Sequence, residues 1–308
     1  RVGGVAFDVA VFTNISQDHL NFHPDMHHYL RAKGRLFEEL GSGGKSATAV
    51  VNLDDPNARH ILDVNRGALL TFAVASHSDV HASAIETGMS GSRFIATTAA
   101  GEIPVSISHL GEFQVHNALA AIGVASALGL DLTDVRRGLA STPQIPGRFE
   151  LIDCGQSFTV VVDYAHKPDA LDRLLRSVRR LHPRRVITVF GCGGDRDRGK
   201  RPLMGRIAAE LSDRVIITSD NPRSEPPETI IAAIATGARQ SVADSERITI
   251  EPDRARAIAA AIRMAEAGDL LVIAGKGHEA YQILGDRRID FDDREVARAA
   301  LRRLATAR

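Results

Sequence analysis

The sequence predicts an α/β protein with two domains, and three features of the chain indicate this. The chain has 308 residues, about twice the length of a typical domain. In its second half, short β-branched runs alternate with longer helical patterns, which is typical of a mainly parallel sheet covered by helices. A segment containing Pro143, Pro146 and Gly147 interrupts both patterns. We therefore expect one domain over residues 1–146 and a second over residues 147–308.

The first half of the chain is the less regular one. Asp25 is placed to cap a helix that runs to about residue 40, and a glycine-rich segment then ends it. An alanine-rich helix is expected later, at residues 112–128. The strands predicted for this half are residues 5–12, residues 45–52 and several short strands between residues 69 and 108, with turns at 88–91 and 101.

The second half shows clear helical spacing, as in Leu171, Leu174, Leu175 and Val178. The predicted strands are residues 158–164, 185–190, 214–219, 247–250 and 269–274. The predicted helices are residues 168–181, 202–211, 227–239, 253–267 and 294–305. Ligands of such sheets bind at the carboxyl ends of the strands, so polar segments that follow these strands are candidate sites.

Composition excludes several classes of protein. The 38 Lys and Arg residues balance the 38 Asp and Glu residues, which argues against binding nucleic acid through a broad positive surface. Only Cys154 and Cys192 are present and no CxxC occurs, so we expect neither a disulfide framework nor a cysteine zinc site, and a reducing cytoplasm fits. No apolar run approaches the ~18 residues of a membrane span, and no signal peptide is expected. Because the chain starts with Arg1 rather than Met, it is expected to be processed or a fragment.

Two polar clusters of the first half could carry chemistry. Residues 13–19, TNISQDH, follow a predicted strand, and Lys33 lies on the next helix. His19 and the aspartate before it suit a metal ion, but they would also suit a turn, and Lys33 could be a surface lysine. His116 and Asn117 could cap the alanine-rich helix, or the amide of Asn117 could pair with the edge of a base. The residue types alone leave these alternatives open.

Polar clusters of the second half follow predicted strands. Residues 163–168, DYAHKP, form either a ligand-binding edge or a structural turn. Residues 191–202 combine glycines with cationic side chains, which suits an anion near the backbone or a solvated loop, without the GxxxxGK[ST] spacing of a phosphate loop. Residues 219–223 and 275–279 should lie on the same edge of the sheet. An arginine fork and two carboxylates there suit a zwitterionic substrate such as an amino acid.

The order of these motifs resembles the Mur ligases. The matching segments are TNISQDH, Lys33, NLDD (52–55), PGRFE (146–150), DYAHKPDAL (163–171), FGCGGDRDRGKRPLMG (190–205), DNPR (220–223) and GKGHE (275–279). They run in register along the whole chain, and within the family they are most similar to the MurE branch. The resemblance implies a P-loop-type central ATP-binding domain, of which this chain holds the later part, followed by a Rossmann-like C-terminal ligase domain.

The resemblance also implies a truncation. Enzymes of this family carry an N-terminal UDP-binding domain, a GTxGKT[ST] phosphate loop and a magnesium-binding glutamate, and the printed sequence holds none of these. We therefore expect this chain to be N-terminally truncated and inactive on its own, because the donors that align the ATP phosphates are missing. The alternative to an enzyme is that this chain is a non-catalytic binding module.

The family's residue roles transfer by position. Arg1 matches a residue that contacts the UDP-MurNAc-dipeptide, and His19 matches a ligand of the second magnesium ion. Lys33 matches a lysine that carries a carbamate, whose anionic oxygen would suit Mg²⁺. The residues implied to bind ATP are Asn117, Arg148, Asp163 and His166. Gln114 departs from the pattern, since relatives often have Asn there, so the adenine contact in that segment is less well defined.

The implied amino-acid site lies in the second domain. Its residues are Arg196, Asp220, Asn221, Pro222, Arg223, Gly275 and Glu279. In the family, DNPR accompanies meso-diaminopimelate, whose distal carboxylate Arg223 can bind bidentately. Lysine lacks that carboxylate and would leave the arginine unpaired.

The implied activity is that of an ATP-dependent ligase in peptidoglycan synthesis. It would add meso-diaminopimelate to UDP-MurNAc-L-Ala-D-Glu through an acyl phosphate, with Mg²⁺ as cofactor and ATP as a substrate. The implied enzyme is a cytoplasmic monomer with small-molecule partners and no contact to nucleic acid or membrane. A related folylpolyglutamate-type ligase, which adds glutamate, is the alternative within the same chemistry, and DNPR together with GKGHE argues against it.

Overall fold

The computed structural model describes residues 4–17, 22–88, 90–109, 111–242 and 244–306. The chain divides into two compact units, Arg1–Pro143 and Gln144–Arg308. Both are α/β, as the sequence predicts. Within the described ranges, no helix has the length and apolar character needed to cross a membrane.

The first unit is built on a mixed sheet with strand order β1-β2-β3-β4-β5-β6. Its strands are β1 (Val9–Phe12), β2 (Thr48–Asn52), β3 (Ala68–Ala73), β4 (Val80–Gly88), β5 (Gly91–Thr98) and β6 (Gly101–Ile107). Its helices are α1 (Met26–Glu38), α2 (Ala58–Val64), α3 (Glu112–Ala127) and α4 (Leu132–Ala140). The pairings from β1 to β4 are parallel, and those from β4 to β6 are antiparallel.

Helices bury both faces of the parallel part of this sheet. On one face, Leu119 and Ile122 of α3 pack with Phe72 of β3. On the other face, Phe37 of α1 packs with Phe12 of β1. The sequence reason is that the parallel strands are nearly continuous apolar runs rather than alternating ones.

The second unit is a parallel sheet with one antiparallel edge strand, in the order β11-β10-β9-β12-β8-β7. Its strands are β7 (Glu150–Leu151), β8 (Thr159–Asp163), β9 (Val186–Phe190), β10 (Arg214–Ile217), β11 (Ile248–Ile250) and β12 (Leu270–Ala274). A separate hairpin follows, formed by β13 (Tyr281–Leu284) and β14 (Arg287–Asp290). The helices are α5 (Pro168–Arg179), α6 (Lys200–Leu211), α7 (Pro227–Ser241), α8 (Arg254–Met264) and α9 (Asp293–Thr306).

Small residues let α6 and α7 pack very closely. A Cβ atom added to Gly205 would lie 2.0 Å from the carbonyl oxygen of Ile234. A Cβ atom added to Gly237 would lie 2.0 Å from the carbonyl oxygen of Pro202. Both glycines are therefore required by backbone-to-backbone contact rather than by turn geometry.

Most predicted elements are confirmed, and the cap at Asp25 is among them, since its carboxylate accepts a hydrogen bond from the backbone N–H of His28 at 2.7 Å. Helix α6 begins two residues before Pro202, because proline is tolerated in the first turn of a helix. The prediction of several strands between residues 69 and 108, with turns at 88–91 and 101, is confirmed, and β4 to β6 are longer than expected and form an antiparallel meander. Four elements were not predicted, because their patterns are too short to show a clear period: α2, α4, β7 and the β13–β14 hairpin.

Candidate functional site

The polar motifs of the second unit meet at one edge of its sheet. Strands β8, β12, β9 and β10 are neighbours and run parallel, so their carboxyl ends lie side by side. The segments that follow them are residues 164–168, 275–279, 191–202 and 218–223. This is the edge at which open α/β sheets bind ligands.

The DNPR segment, residues 220–223, is fixed by the β13–β14 hairpin. Gln282 donates its side-chain N–H to the carbonyl oxygen of Asp220 at 2.7 Å. The N–H of Ile283 donates to Oδ1 of Asn221 at 2.9 Å. Asp220, Asn221 and the following Pro222 are buried, so these contacts are shielded from water.

Arg223 leaves this segment in a left-handed backbone conformation, with φ of 54°. Its N–H donates to the carbonyl oxygen of Ile283 at 3.1 Å, and Nη1 donates to the carbonyl oxygen of Gly194 at 2.8 Å. A guanidinium has five N–H donors in a planar fork, so donors remain for a carboxylate ligand. Backbone and side-chain contacts together hold the guanidinium in place.

The glycine loop that follows β9 passes directly over Arg223 and Pro222. A Cβ atom on Gly194 would lie 1.9 Å from the carbonyl oxygen of Pro222. A Cβ atom on Gly193 would lie 2.8 Å from Nη1 of Arg223 and 3.8 Å from Cγ of Arg196. Arg196 and Arg223 thus flank the same glycine. Arg196 is exposed, and its guanidinium donates to the neighbouring carbonyl oxygen of Asp195 at 2.9 Å.

A buried ion pair ties the same loop to the chain after DNPR, and the sequence analysis did not predict it. Arg201 is 2% exposed and donates to both carboxylate oxygens of Glu225, at 2.8 and 3.0 Å. Glu225 also accepts from the N–H of Asp195 at 2.7 Å. Hydrogen bonds from Arg201 and this N–H lower the pKa of Glu225 to about 2. The charge of Arg201 is therefore paired within the protein, by Glu225.

The GKGHE segment, residues 275–279, forms the opposite wall. Gly275 has φ of 111°, and a Cβ atom there would lie 3.0 Å from Oδ2 of Asp220, so only glycine fits this turn. Glu279 accepts a hydrogen bond on Oε2 from Nδ2 of Asn221 at 2.9 Å. The structure thus brings Asp220, Asn221, Gly275 and Glu279 together, with Arg223 next to them.

The residues proposed for ATP binding in this unit lie at the end of β8. Asp163 accepts from the N–H groups of Phe149 and Ala165 at 2.7 and 2.8 Å, and burial nevertheless raises the pKa of its carboxyl. The guanidinium of Arg148 lies 4.7 Å from the ring centroid of Tyr164. The ring of His166 lies 4.5 Å from the same ring. The structure therefore groups Arg148, Asp163 and His166.

In the first unit, Lys33 is exposed on α1, with Nζ 5.4 Å from the ring centroid of Tyr29. Arg1 and His19 lie outside the residues that the structure describes. The described part of the chain contains no cluster of three or more His, Cys, Asp or Glu side chains placed to hold a metal ion. Lys33 is therefore a surface lysine in the structure, and its carbamate stays a prediction.

Asn117, proposed to contact adenine, is exposed in the first turns of α3. Its Nδ2 donates to Oε1 of the buried Gln114 at 3.0 Å. Gln114, the residue that departs from the family pattern, is thus in direct contact with Asn117. The adjacent His116 lies 3.1 Å from Oδ2 of Asp54. Burial alone would raise the pKa of Asp54, but backbone hydrogen bonds, with those from Ser76 and His116, outweigh it and lower the pKa.

The NLDD motif, residues 52–55, has a structural role, because its side chains hydrogen-bond to the backbone of neighbouring segments. Asn52 donates to the carbonyl oxygen of Thr13 at 2.7 Å, and Asp55 accepts from the N–H of Ile15 at 3.0 Å. Asp54 accepts from the N–H of Val74 at 2.6 Å. The motif thereby fixes the start of the TNISQDH segment, which directly follows β1.

Comparison with known families identifies both units. The family model described as the Mur ligase middle domain matches residues 1–125. The model described as Mur ligase, glutamate ligase domain matches residues 147–277.

Curated relatives include proteins named UDP-N-acetylmuramoyl-L-alanyl-D-glutamate--2,6-diaminopimelate ligase. The one from Syntrophomonas wolfei is 46% identical over 302 residues, which is 98% of this chain and 61% of the relative. The one from Geobacillus thermodenitrificans is 46% identical over 305 residues, which is 98% of this chain and 62% of the relative. The chain thus spans about three fifths of the length of these relatives.

Solved structures give the same picture of the fold. A structure of a UDP-N-acetylmuramoyl-L-alanyl-D-glutamate--2,6-diaminopimelate ligase matches with a TM-score of 0.63 and 37% identity, over 99% of this chain and 62% of the other. A Mycobacterium tuberculosis folylpolyglutamate synthase complexed with ADP and AMPPCP matches with a TM-score of 0.72 and 21% identity, over 98% of this chain and 64% of that one. At that identity the second match concerns the fold alone.

Proposed function

Because the chain belongs to the Mur ligase family, we propose that it forms part of an ATP-dependent ligase and contributes the amino-acid site. The proposed reaction joins meso-diaminopimelate to UDP-MurNAc-L-Ala-D-Glu in peptidoglycan synthesis. Relatives carrying the name of this activity are 43–47% identical to the chain over 98% of its length. Such identity supports the proposed type of reaction. The choice of the amino-acid substrate rests on the residues of the site.

The position of Arg223 is the observation that carries the choice of amino acid. Its guanidinium is held by the carbonyl oxygen of Gly194, in a segment that also contains Asn221, whose amide donates to Glu279. A cationic fork beside a carboxylate and an amide suits the distal end of meso-diaminopimelate, which bears both a carboxylate and an ammonium group. Lysine would offer only the ammonium group, and glutamate only a carboxylate.

The chemistry follows from the groups that react. The γ-phosphoryl group of ATP passes to the free D-glutamyl carboxylate, which gives an acyl phosphate and ADP. An amine of meso-diaminopimelate then attacks the acyl carbon, the bond to the phosphate oxygen breaks, and the amine loses a proton as inorganic phosphate leaves. No enzyme nucleophile is needed, so this chain's contribution is positioning and charge compensation.

Residues at the end of β8 are proposed to take part on the nucleotide side. Asp163 and His166 would face the ribose and phosphates, and the exposed guanidinium of Arg148 would reach a phosphate oxygen. Asn117 of the first unit would contact adenine. These assignments rest on the family resemblance together with the grouping of Arg148, Asp163 and His166.

Magnesium is proposed as the cofactor, held in the first unit by a carbamate on Lys33 and by His19. A bound Mg²⁺ would neutralise negative charge on the phosphates and acyl oxygen. Arg1 is proposed to contact the UDP-MurNAc-dipeptide. We further propose that the protein works as a cytoplasmic monomer on small-molecule substrates, without nucleic acid or membrane partners.

An amine-substrate screen tests this proposal. The complete gene product would be incubated with ATP, Mg²⁺ and UDP-MurNAc-L-Ala-D-Glu, and ADP release would be followed with meso-diaminopimelate, lysine or glutamate. We expect release with meso-diaminopimelate and little with the other two. Preference for glutamate would favour the folylpolyglutamate type of ligase, and ADP release with none of the three would contradict the proposal.

A further inference from the structure

Lys276, the second residue of GKGHE, is a fully buried lysine at the centre of the proposed amino-acid site. Its side chain is 0% exposed. Nζ lies 3.4 Å from Oδ1 of Asn221 and 3.3 Å from Oε2 of Glu279, and it also donates to the carbonyl oxygen of Tyr281. The same nitrogen lies 5.4 Å from the ring centroid of Tyr281.

Each of these three acceptors belongs to a different wall of the site. Asn221 lies in DNPR, Glu279 closes the GKGHE segment and Tyr281 begins the β13–β14 hairpin. An ammonium group has three N–H donors, and here each acceptor takes one. Since burying an ammonium is costly unless it is paired, a lysine at this place needs a compensating role.

Lys276 fixes which atoms of its partners can face a ligand. Oδ1 of Asn221 accepts from Lys276 and from the N–H of Ile283, so the amide cannot flip without losing both contacts. Its Nδ2 must therefore point toward Glu279. Glu279 uses Oε2 for Asn221 and Lys276, which leaves Oε1 as the acceptor for a substrate ammonium.

We propose that Lys276 is a positioning residue that sets the specificity of this site for an amino acid whose distal end is zwitterionic. The inference rests on the proposed function and deepens it. Lys276 compensates the negative charge of Glu279. The site therefore does not preferentially bind a substrate, such as lysine, whose distal end carries only an ammonium group. Arg223 then meets the distal carboxylate, and Glu279 together with Asn221 meets the polar groups beside it.

The test compares steady-state kinetics of the wild-type gene product with those of K276M, which keeps the length of the side chain and removes the charge. We expect the KM for meso-diaminopimelate to rise at least about thirtyfold, while the KM for ATP stays within about twofold. The KM for lysine should change much less, so discrimination between the two amino acids should narrow. If K276M does not fold, K276Q replaces it, since its amide can still donate to Tyr281.

R185M serves as the control, because it removes an ion pair of the same unit, between the half-buried Arg185 and the buried Asp269, far from the site. Arg185 binds Asp269 at the amino ends of β9 and β12, at 3.1 Å from Nε to Oδ1. This variant should lower the melting temperature without changing either KM. If it raised the KM for meso-diaminopimelate as much as K276M does, the effect would be general destabilisation and the positioning role would be overturned.

Two further outcomes separate the inference from the function on which it rests. An active wild-type enzyme, with K276M or K276Q folded and unchanged in its KM for meso-diaminopimelate, would overturn the role of Lys276 alone. A wild-type enzyme that ligates no amino acid would overturn the proposed function and this inference with it.

Discussion

Arg223 combines a backbone conformation that is uncommon for a non-glycine residue with a side chain held by a neighbouring loop. Its φ of 54° turns the guanidinium toward the carbonyl oxygen of Gly194. We therefore expect R223A in the complete gene product to weaken use of meso-diaminopimelate sharply. Removing one member of a buried charge pair costs ~2–5 kcal/mol, which is roughly thirtyfold or more in affinity.

Steady-state kinetics with meso-diaminopimelate and ATP would measure this effect. The KM for ATP should stay nearly unchanged, and lysine should remain a poor substrate because R223A adds no new contact for it. R287A removes an exposed arginine from β14 and serves as the control. Constants for meso-diaminopimelate within about twofold of wild type would rule out DNPR as the specificity element.

Lys33 is the second residue on which the proposal depends, because an ordinary ammonium group cannot bind a cation. If the amine carries a carbamate, K33A should lower activity about a hundredfold or more, the size seen for other preorganised electrostatic groups. Added short carboxylates should partly restore it by supplying the missing oxygen. K33R keeps the positive charge but forms no carbamate, so it should be equally impaired. Full activity in K33A would contradict the proposed role.

At the scale of elements, the loop between β9 and α6 depends on the ion pair of Arg201 and Glu225. The pKa of Glu225 is lowered from 4.5 to about 2 in the folded chain. A carboxyl with a depressed pKa stabilises the fold above its unfolded pKa, and this contribution is lost as the pH falls toward the folded value. The difference in free energy of unfolding between wild type and E225Q should therefore be full near neutral pH and should shrink from about pH 4.5 to about pH 2.

Urea unfolding at several pH values would measure that difference. E228Q, in the first turn of α7, controls for the loss of an exposed carboxylate. The ion pair would not stabilise the loop as described if the difference in free energy of unfolding between wild type and E225Q did not change with pH. The same would follow if E228Q showed an equal difference.

The contact between α6 and α7 predicts that a glycine-to-alanine substitution destabilises the protein, whereas helix propensity alone predicts stabilisation. In an open helix, replacing glycine by alanine stabilises the protein by about 0.5–1 kcal/mol. At Gly205 the new Cβ would meet the Ile234 carbonyl at 2.0 Å, so G205A should instead destabilise by about 1–3 kcal/mol. G138A is the matched control, because Gly138 is exposed on α4 with nothing within 4 Å of its Cβ position. Thermal unfolding should show opposite shifts for the two variants, and stabilisation by G205A would contradict the close packing.

Elements with a long, regular pattern could be predicted from the sequence, and short ones could not. Helix α5 buries Leu171, Leu174, Leu175 and Val178, the residues whose spacing predicts it. The β13–β14 hairpin has four residues in each strand, and its residues alternate weakly. Its place in the fold is set by tertiary hydrogen bonds to DNPR, which local sequence does not contain.

For the whole molecule, the edge of the sheet that carries the site could be predicted, because each motif follows a strand and parallel strands share a carboxyl edge. The contacts that orient the site could not. The charged segment 191–202 predicts that Arg201 is a solvated or anion-binding side chain, but Arg201 lies in the first turn of α6 and is buried against Glu225. The sequence predicts only that Lys276 lies in a glycine-rich turn. It is buried because DNPR, GKGHE and the β13–β14 hairpin meet around it.

We propose that this chain serves an ATP-driven amide ligation through an acyl phosphate. The most direct measurement is one turnover of the complete gene product with UDP-MurNAc-L-Ala-D-Glu labelled with ¹⁸O in the D-glutamyl carboxylate, followed by mass spectrometry of the products. We predict a peptide enlarged by meso-diaminopimelate minus water, equimolar ADP, and one ¹⁸O atom transferred to inorganic phosphate. Amide formation without label in the phosphate, or with AMP instead of ADP, would rule out the acyl phosphate route.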